Sequence, residues 1–395
     1  MKNIFFILIL GAYIIQGLFP VKFQFGRGIN IQNIAVYLVL ISLLISEIAT
    51  KKINKIEIPG LFILCLGTFY VFTSIILLSF SNEFHIPIFN NIVYFKRIYF
   101  DAIIVYLIAF LLCDNQKDAY RFLSIIVIVF ELLNNFNLIN NILNPSQAAL
   151  EYNRYTGFGN ANKTAYLLCC MLPFVFYFYR SQKNLIIKMF YVGLMVMTTI
   201  TVAFSGSRGG ILVFCMIAIS TIILFRDLKM FALIAFIVPF ILLLVWNNIF
   251  FQETLSRLSQ LSNESLQYAS SNRISIWKSI WQVFISSPIY IFFGTGFNTS
   301  SFVGLGINPH NMYLRFLLEI GIVGLTLLIC YILRTVIYII KSPTLDTMLK
   351  KAVFTSVCVV LIAWFFTCLE GVMSFITLTT GVALSNLKFK VHQPQ

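Results

Sequence analysis

Three observations predict an all-α integral membrane protein. Of the 395 residues, 59% are hydrophobic and 11% charged, with a mean hydropathy of +0.90; a soluble domain carries roughly 25% charged residues. The apolar stretches run for ~17–25 residues, the length of a helix that crosses ~30 Å of hydrocarbon. They are also continuous rather than alternating, which suits helices and not an outer-membrane barrel.

The first apolar run, Asn3 to Pro20, follows Lys2 and is succeeded by Val21-Lys22-Phe23 with no small-residue cleavage site. It therefore reads as a retained helix and not a signal peptide. Further spans are expected at about 33–50, 59–80, 99–113, 120–138, 164–180, 186–204, 210–225, 229–247, 312–333, 352–369 and 371–387. The expectation is a single polytopic membrane domain over 1–395 with about twelve transmembrane helices. One large loop, 248–311, is inserted between spans and carries short amphipathic helices.

The Lys/Arg bias orients this arrangement. With both termini cytoplasmic, 17 of the 28 basic residues lie inside, and the 248–311 loop lies outside. The 11 outer basic residues include Arg154, Arg208, Arg273 and Arg315. The topology rule disfavours cations there, so an anionic substrate is expected, and Arg grips phosphate with two parallel hydrogen bonds. Lys22 and Lys96 are expected simply to snorkel at an interface. The net charge of +14 does not point to nucleic acid, because it is scattered over short loops. The eight cysteines fall in or beside apolar segments without metal-ligand spacing.

Four stretches concentrate hydrogen-bonding and charged groups. Arg154-Tyr155-Thr156-Gly157-Phe158-Gly159-Asn160-Ala161-Asn162-Lys163 suits a turn at a helix entrance, with Asn162 as its cap. Ser205-Gly206-Ser207-Arg208-Gly209-Gly210 is a short turn between apolar spans, where Arg208 needs water or a partner. In the large loop, Ser271 or Asn272 caps a helix bearing Arg273, Ile276, Trp277, Ile280 and Trp281, amphipathic enough to lie on a membrane surface. Arg273 in its first turn opposes the helix dipole unless an anion shares the site.

Finally, Pro309-His310-Asn311-Met312-Tyr313-Leu314-Arg315 opens the tenth span. His310 is either a structural histidine or a group exchanging protons near neutral pH. Glu319, about two turns on, suits a membrane-embedded partner for Arg315. The outer carboxylates Glu151, Glu253, Glu264 and Glu370 form no glycosidase-type pair, and no D-x-D metal motif is present. Sugar transfer here would need no metal and an activated leaving group, whose charge arginines stabilise.

These ordered motifs resemble the O-antigen ligase/polymerase family. The resemblance rests on Arg208 in Ser-Gly-Ser-Arg-Gly-Gly, Arg273 in Asn-Arg-Ile-Ser-Ile-Trp, Gly294-Thr295-Gly296, and His310-Asn311 after Pro309, with Gly-Phe-Gly-Asn-Ala-Asn beside them. It implies a GT-C-like glycosyltransferase of the bacterial inner membrane, metal-independent and inverting, acting at the periplasmic face without a cofactor. The donor would be a glycan on undecaprenyl diphosphate. A polymerase would use a lipid-linked glycan as acceptor, a ligase lipid A–core. Membrane lipids and a chain-length regulator are further partners, and nucleic acid is not.

By that resemblance Arg208, Arg273 and His310 are the catalytic candidates: the arginines hold the diphosphate, and His310 assists the acceptor hydroxyl. Arg154, Asn160, Asn162, Ser207, Trp277, Asn311, Tyr313 and Arg315 are candidates for substrate binding. The compact stretch between Arg273 and His310 favours polymerase over ligase. A lipid-linked oligosaccharide flippase or exporter is the alternative from another class, disfavoured by the absence of paired halves.

Overall fold

The computed structural model describes residues 24–26, 29–49, 60–81, 88–113, 116–144, 155, 161–226, 246–259, 273–297, 299–300, 309–343 and 345–367. To these it adds isolated positions between 4 and 14, 232 and 243, and 379 and 382. Most of the spans expected at 3–20, 229–247 and 371–387 lie outside the described residues. Among the described residues, seven helices are long and apolar enough to cross a membrane: Leu61–Leu78, Lys117–Leu143, Ala161–Ser181, Leu185–Phe204, Arg208–Phe225, Met312–Lys341 and Thr347–Phe366. A shorter apolar helix covers Asn33–Ser46. The chain's contacts divide into two compact units.

The first unit comprises residues 1–123, 273–345 and 368–395. It opens with a two-stranded antiparallel hairpin, β1 (Gln24–Gly26) and β2 (Ile29–Asn30). Its helices are α1 (Ile31–Ala49), α2 (Leu61–Ser81), α3 (Ile88–Phe95), α4 (Asp101–Leu112) and the start of α5 (Gln116–Leu143). A single π-turn, Lys96–Phe100, joins α3 to α4. In that turn the Asp101 N–H reaches the Lys96 carbonyl, five residues back. This i→i+5 spacing also brings the side chains together: Lys96 Nζ lies 3.0 and 3.1 Å from the Asp101 oxygens. Tyr37 of α1 donates to the same carboxylate at 2.6 Å. Lys96 is thus ion-paired, contrary to the expectation that it snorkels, because the π-turn places an acid beside it.

After the second unit the first resumes with α10 (Arg273–Ile285), α11 (Pro288–Phe293) and α12 (Met312–Lys341). Ile276, Ile280 and Phe284, at helical spacing on α10, bury together with Leu318 of α12. That burial is the amphipathic stripe expected from sequence, packed here on protein. Trp281, on the same expected stripe, is exposed. The second unit (124–272 and 346–367) contains the rest of α5, α6 (Ala161–Ser181), α7 (Leu185–Phe204), α8 (Arg208–Phe225), α9 (Ile249–Ser259) and α13 (Thr347–Phe366). At its centre is α6, packed against α7, α8 and α13. Pro173 interrupts the α6 ladder, and Ser356 of α13 donates to the Cys170 carbonyl in the same turn at 2.7 Å.

Candidate functional site

In the first unit, the head of α12 is built from both ends of the segment that precedes it. Arg273 occupies the first turn of α10. One turn later, Trp277 Nε1 donates to the Pro309 carbonyl at 2.8 Å. On the other side, Asn311 caps α12, its side chain accepting from Leu314 N at 3.1 Å. His310 stands between these two anchors with φ of 50°, a left-handed conformation rare for a non-glycine residue. Anchoring on either side lets the backbone hold such a conformation.

Burial lowers the His310 pKa below its usual 6.5, and the nearby Arg273 charge lowers it further. The imidazole is therefore neutral at pH 7. The sequence motifs around Arg273 and around His310 are thus brought together within one unit, with Trp277 as the physical link.

Tyr313 follows on the first turn of α12, half-buried. Arg315 is 3% exposed, and its Nε donates to both Glu319 oxygens at 3.1 Å. Its guanidinium lies 5.4 Å from the centre of the Tyr94 ring. Ser300 donates to Glu319 at 2.7 Å. Glu319 is thus the buried partner expected for Arg315, and it neutralises this cation within the fold.

The Gly294-Thr295-Gly296 segment has a structural task beneath this head. α12 breaks at Gly321, where φ is 68° and ψ 178°. The carbonyls of Leu318 and Glu319, released by the break, accept from Thr295 N at 2.7 Å and Gly296 N at 3.0 Å. Thr295 Oγ1 adds a second bond to the Leu318 carbonyl at 3.0 Å. A Cβ on Gly294 would lie 2.5 Å from both the Glu319 carbonyl oxygen and Ile320 N, so the backbones meet only without a side chain.

In the second unit, Ser205, Gly206 and Ser207 are buried, and the half-buried Arg208 starts α8. Ser207 Oγ accepts from Gly210 N at 3.0 Å and so caps that helix. Arg208 thus belongs to one unit, and Arg273 and His310 to the other. Arg154 and Asn160 lie outside the described residues, as do Ser271 and Asn272. Asn162, expected as a cap, sits inside the helix instead, since α6 covers Ala161–Ser181.

Sequence reasoning missed a polar seam in the second unit. Thr198 donates to Glu131 Oε2 at 2.9 Å, and Asn134 Nδ2 to Thr201 Oγ1 at 3.2 Å. Tyr155 donates from its hydroxyl to the Asn134 carbonyl at 3.1 Å. Glu131, Asn134 and Tyr155 are all fully buried. The signal was present: an acid and two asparagines, Glu131, Asn134 and Asn135, interrupt an otherwise apolar span.

Fold and site together define a multi-pass helical membrane protein, with Arg208 and Arg315 near the starts of long apolar helices and Arg273 and His310 outside them. Residues 192–329 match the family model described as O-Antigen ligase, and over that stretch the resemblance to the O-antigen ligase/polymerase family is shown. The family is one of glycosyltransferase-like O-antigen ligases and polymerases. The match takes in Arg208, Arg273, His310 and Arg315. No curated protein matches the chain.

Proposed function

We propose that the protein is an inner-membrane O-antigen or related polysaccharide polymerase. It joins undecaprenyl-diphosphate-linked repeat units at the periplasmic face by metal-independent, inverting glycosyl transfer. The observation that carries this reading is the hydrogen bond from Trp277 to the Pro309 carbonyl, which brings the Arg273 and His310 motifs together inside the segment that matches the family. In this mechanism Arg208 and Arg273 bind the donor diphosphate. The acceptor oxygen attacks the anomeric carbon, and its proton passes to the neutral His310 imidazole. The anomeric C–O bond breaks, and lipid diphosphate leaves with the bonding electrons, its charge stabilised by the guanidinium groups. Ligation to lipid A–core is the second reading, favoured by the description of the matching family. The short stretch between Arg273 and His310 favours polymerisation.

The test is a deletion strain complemented with wild type or with Arg208→Ala, Arg273→Ala or His310→Ala, its lipopolysaccharide resolved on a gel. Core bearing a single repeat unit identifies a polymerase. Bare core with accumulated lipid-linked polymer identifies a ligase. An unchanged ladder refutes both. Each alanine variant is expected to lose roughly 100-fold or more in transfer; full complementation by all three at normal expression refutes the site.

The acid limb of the pH–rate profile is a second expected result. Because the folded pKa of His310 is depressed below 6.5, the base form persists below that pH, and activity falls only on further acidification. The stability sign agrees: the unfolded chain binds this proton more readily, so stability drops as pH falls from 6.5 through the folded pKa. Arg273→Gln removes one of the two causes and should move the acid limb upward, on whatever rate remains. Where that rate is too small, NMR titration of the imidazole reads the same shift. An unmoved titration in Arg273→Gln would show that the two residues are not coupled.

A further inference from the structure

We propose that Asn134 and Tyr155 form a clamp that positions Arg208, and this rests on the reading of Arg208 as a diphosphate-binding residue. Arg208 follows a turn whose preceding three residues are buried. A continuous run of hydrogen bonds connects that turn to α5. Asn134 Nδ2 donates to Thr201 Oγ1 at 3.2 Å, and Ser205 N donates to the Thr201 carbonyl at 2.9 Å. Ser207 N donates to Ser205 Oγ at 3.2 Å, and Gly210 N to Ser207 Oγ at 3.0 Å, inside the first turn of α8.

Tyr155 closes the run from the side. Its hydroxyl meets Asn134, and its backbone N–H donates to the carbonyl of Phe204, the last residue of α7, at 3.1 Å. Thr254 of α9 secures the same turn from another direction, donating to the Ala203 carbonyl at 2.6 Å.

Stability alone does not call for these groups. An apolar pair of the same shape, removing both partners, is close to neutral for folding, and buried polar groups in an apolar helix bundle are costly to maintain. What the run does supply is a fixed origin for one guanidinium. Arg208 has a long flexible stem, and a displacement of ~1 Å at a reacting centre costs on the order of 100-fold. Burial also pushes the Tyr155 phenol well above its ordinary pKa, so it remains an O–H donor at all working pH values.

The clamp is tested by Tyr155→Phe and Asn134→Leu in purified full-length protein, with transfer between lipid-linked repeat units as the assay. Tyr155→Phe should lower turnover roughly 10- to 100-fold, with only the small drop in Tm expected for one lost hydrogen bond. Added to Arg208→Ala, it should lower turnover no further, because it acts through a guanidinium that is no longer there. An equal loss in both backgrounds would mean that Tyr155 acts independently, and would overturn the clamp. Hydrogen exchange supplies a readout free of activity: amides 205–210 should exchange faster in Tyr155→Phe and in Asn134→Leu. Unchanged exchange at those amides overturns the clamp even if turnover falls. Full activity in Arg208→Ala would instead refute the diphosphate role itself, and the clamp with it.

Discussion

Gly321→Ala is expected to leave the protein unable to hold its native fold. At φ of 68° and ψ of 178°, Gly321 occupies a backbone region essentially closed to residues with a side chain. A Cβ there would overlap the Phe292 carbonyl and lie 2.8 Å from Gly294 N. Neither obstacle is a side-chain tip that can swing away; both are backbone. The Phe292 carbonyl is held in place in turn, since it accepts from the Tyr70 hydroxyl and the Tyr70 ring stacks on Phe293. With conformational strain added to overlap, the expected loss exceeds about 4 kcal/mol. Thermal unfolding in detergent and the monodisperse fraction after purification both read it. Wild-type values in both would mean that the break in α12 accommodates a side chain at Gly321.

The second large effect is expected from the ion pair in the same helix. Arg315→Met leaves Glu319 1% exposed without its cation, and removing one member of a buried pair costs roughly 3–5 kcal/mol. Arg315→Met combined with Glu319→Gln should recover most of that loss. Glutamine is neutral and retains a carbonyl to accept from Ser300, while methionine occupies much the same volume as the lost side chain. Tm compared across wild type, single and double variants decides the point. A double variant no more stable than the single one would locate the cost in packing against Tyr94 and not in the orphaned charge.

The spans were legible in the sequence because burial in lipid demands long apolar runs, and each of the seven long apolar helices overlaps an expected one: 59–80 as Leu61–Ser81, for instance, and 186–204 as Leu185–Phe204. The pairing of Arg315 with Glu319 was legible too, since four residues on a helix place two side chains on one face. The link from Trp277 to Pro309 was not, because no local rule connects residues 32 apart in the chain. The role of Gly294-Thr295-Gly296 was hidden for a related reason. Its glycines answer a break at Gly321, and that break does not show in the apolar run around it. Hydropathy likewise averaged Glu131 and Asn134 away into an apolar window. Read residue by residue, the same window holds an acid that needs a partner.

The π-turn at Lys96–Phe100 has a consequence for the phase of the helix. Each residue of an α-helix turns the chain by about 100°, so one surplus residue rotates every side chain of α4 by that angle relative to α3. Faces that would otherwise run as one stripe along a straight rod are offset. Nor is the rotation free to vanish, because at five residues apart Lys96 and Asp101 are neighbours in the π-turn and would point apart in a regular α-helix. The joint therefore lets a single continuous helix show one apolar face before it and a differently aimed one after it, with α1 held by Tyr37 at the point where the phase changes.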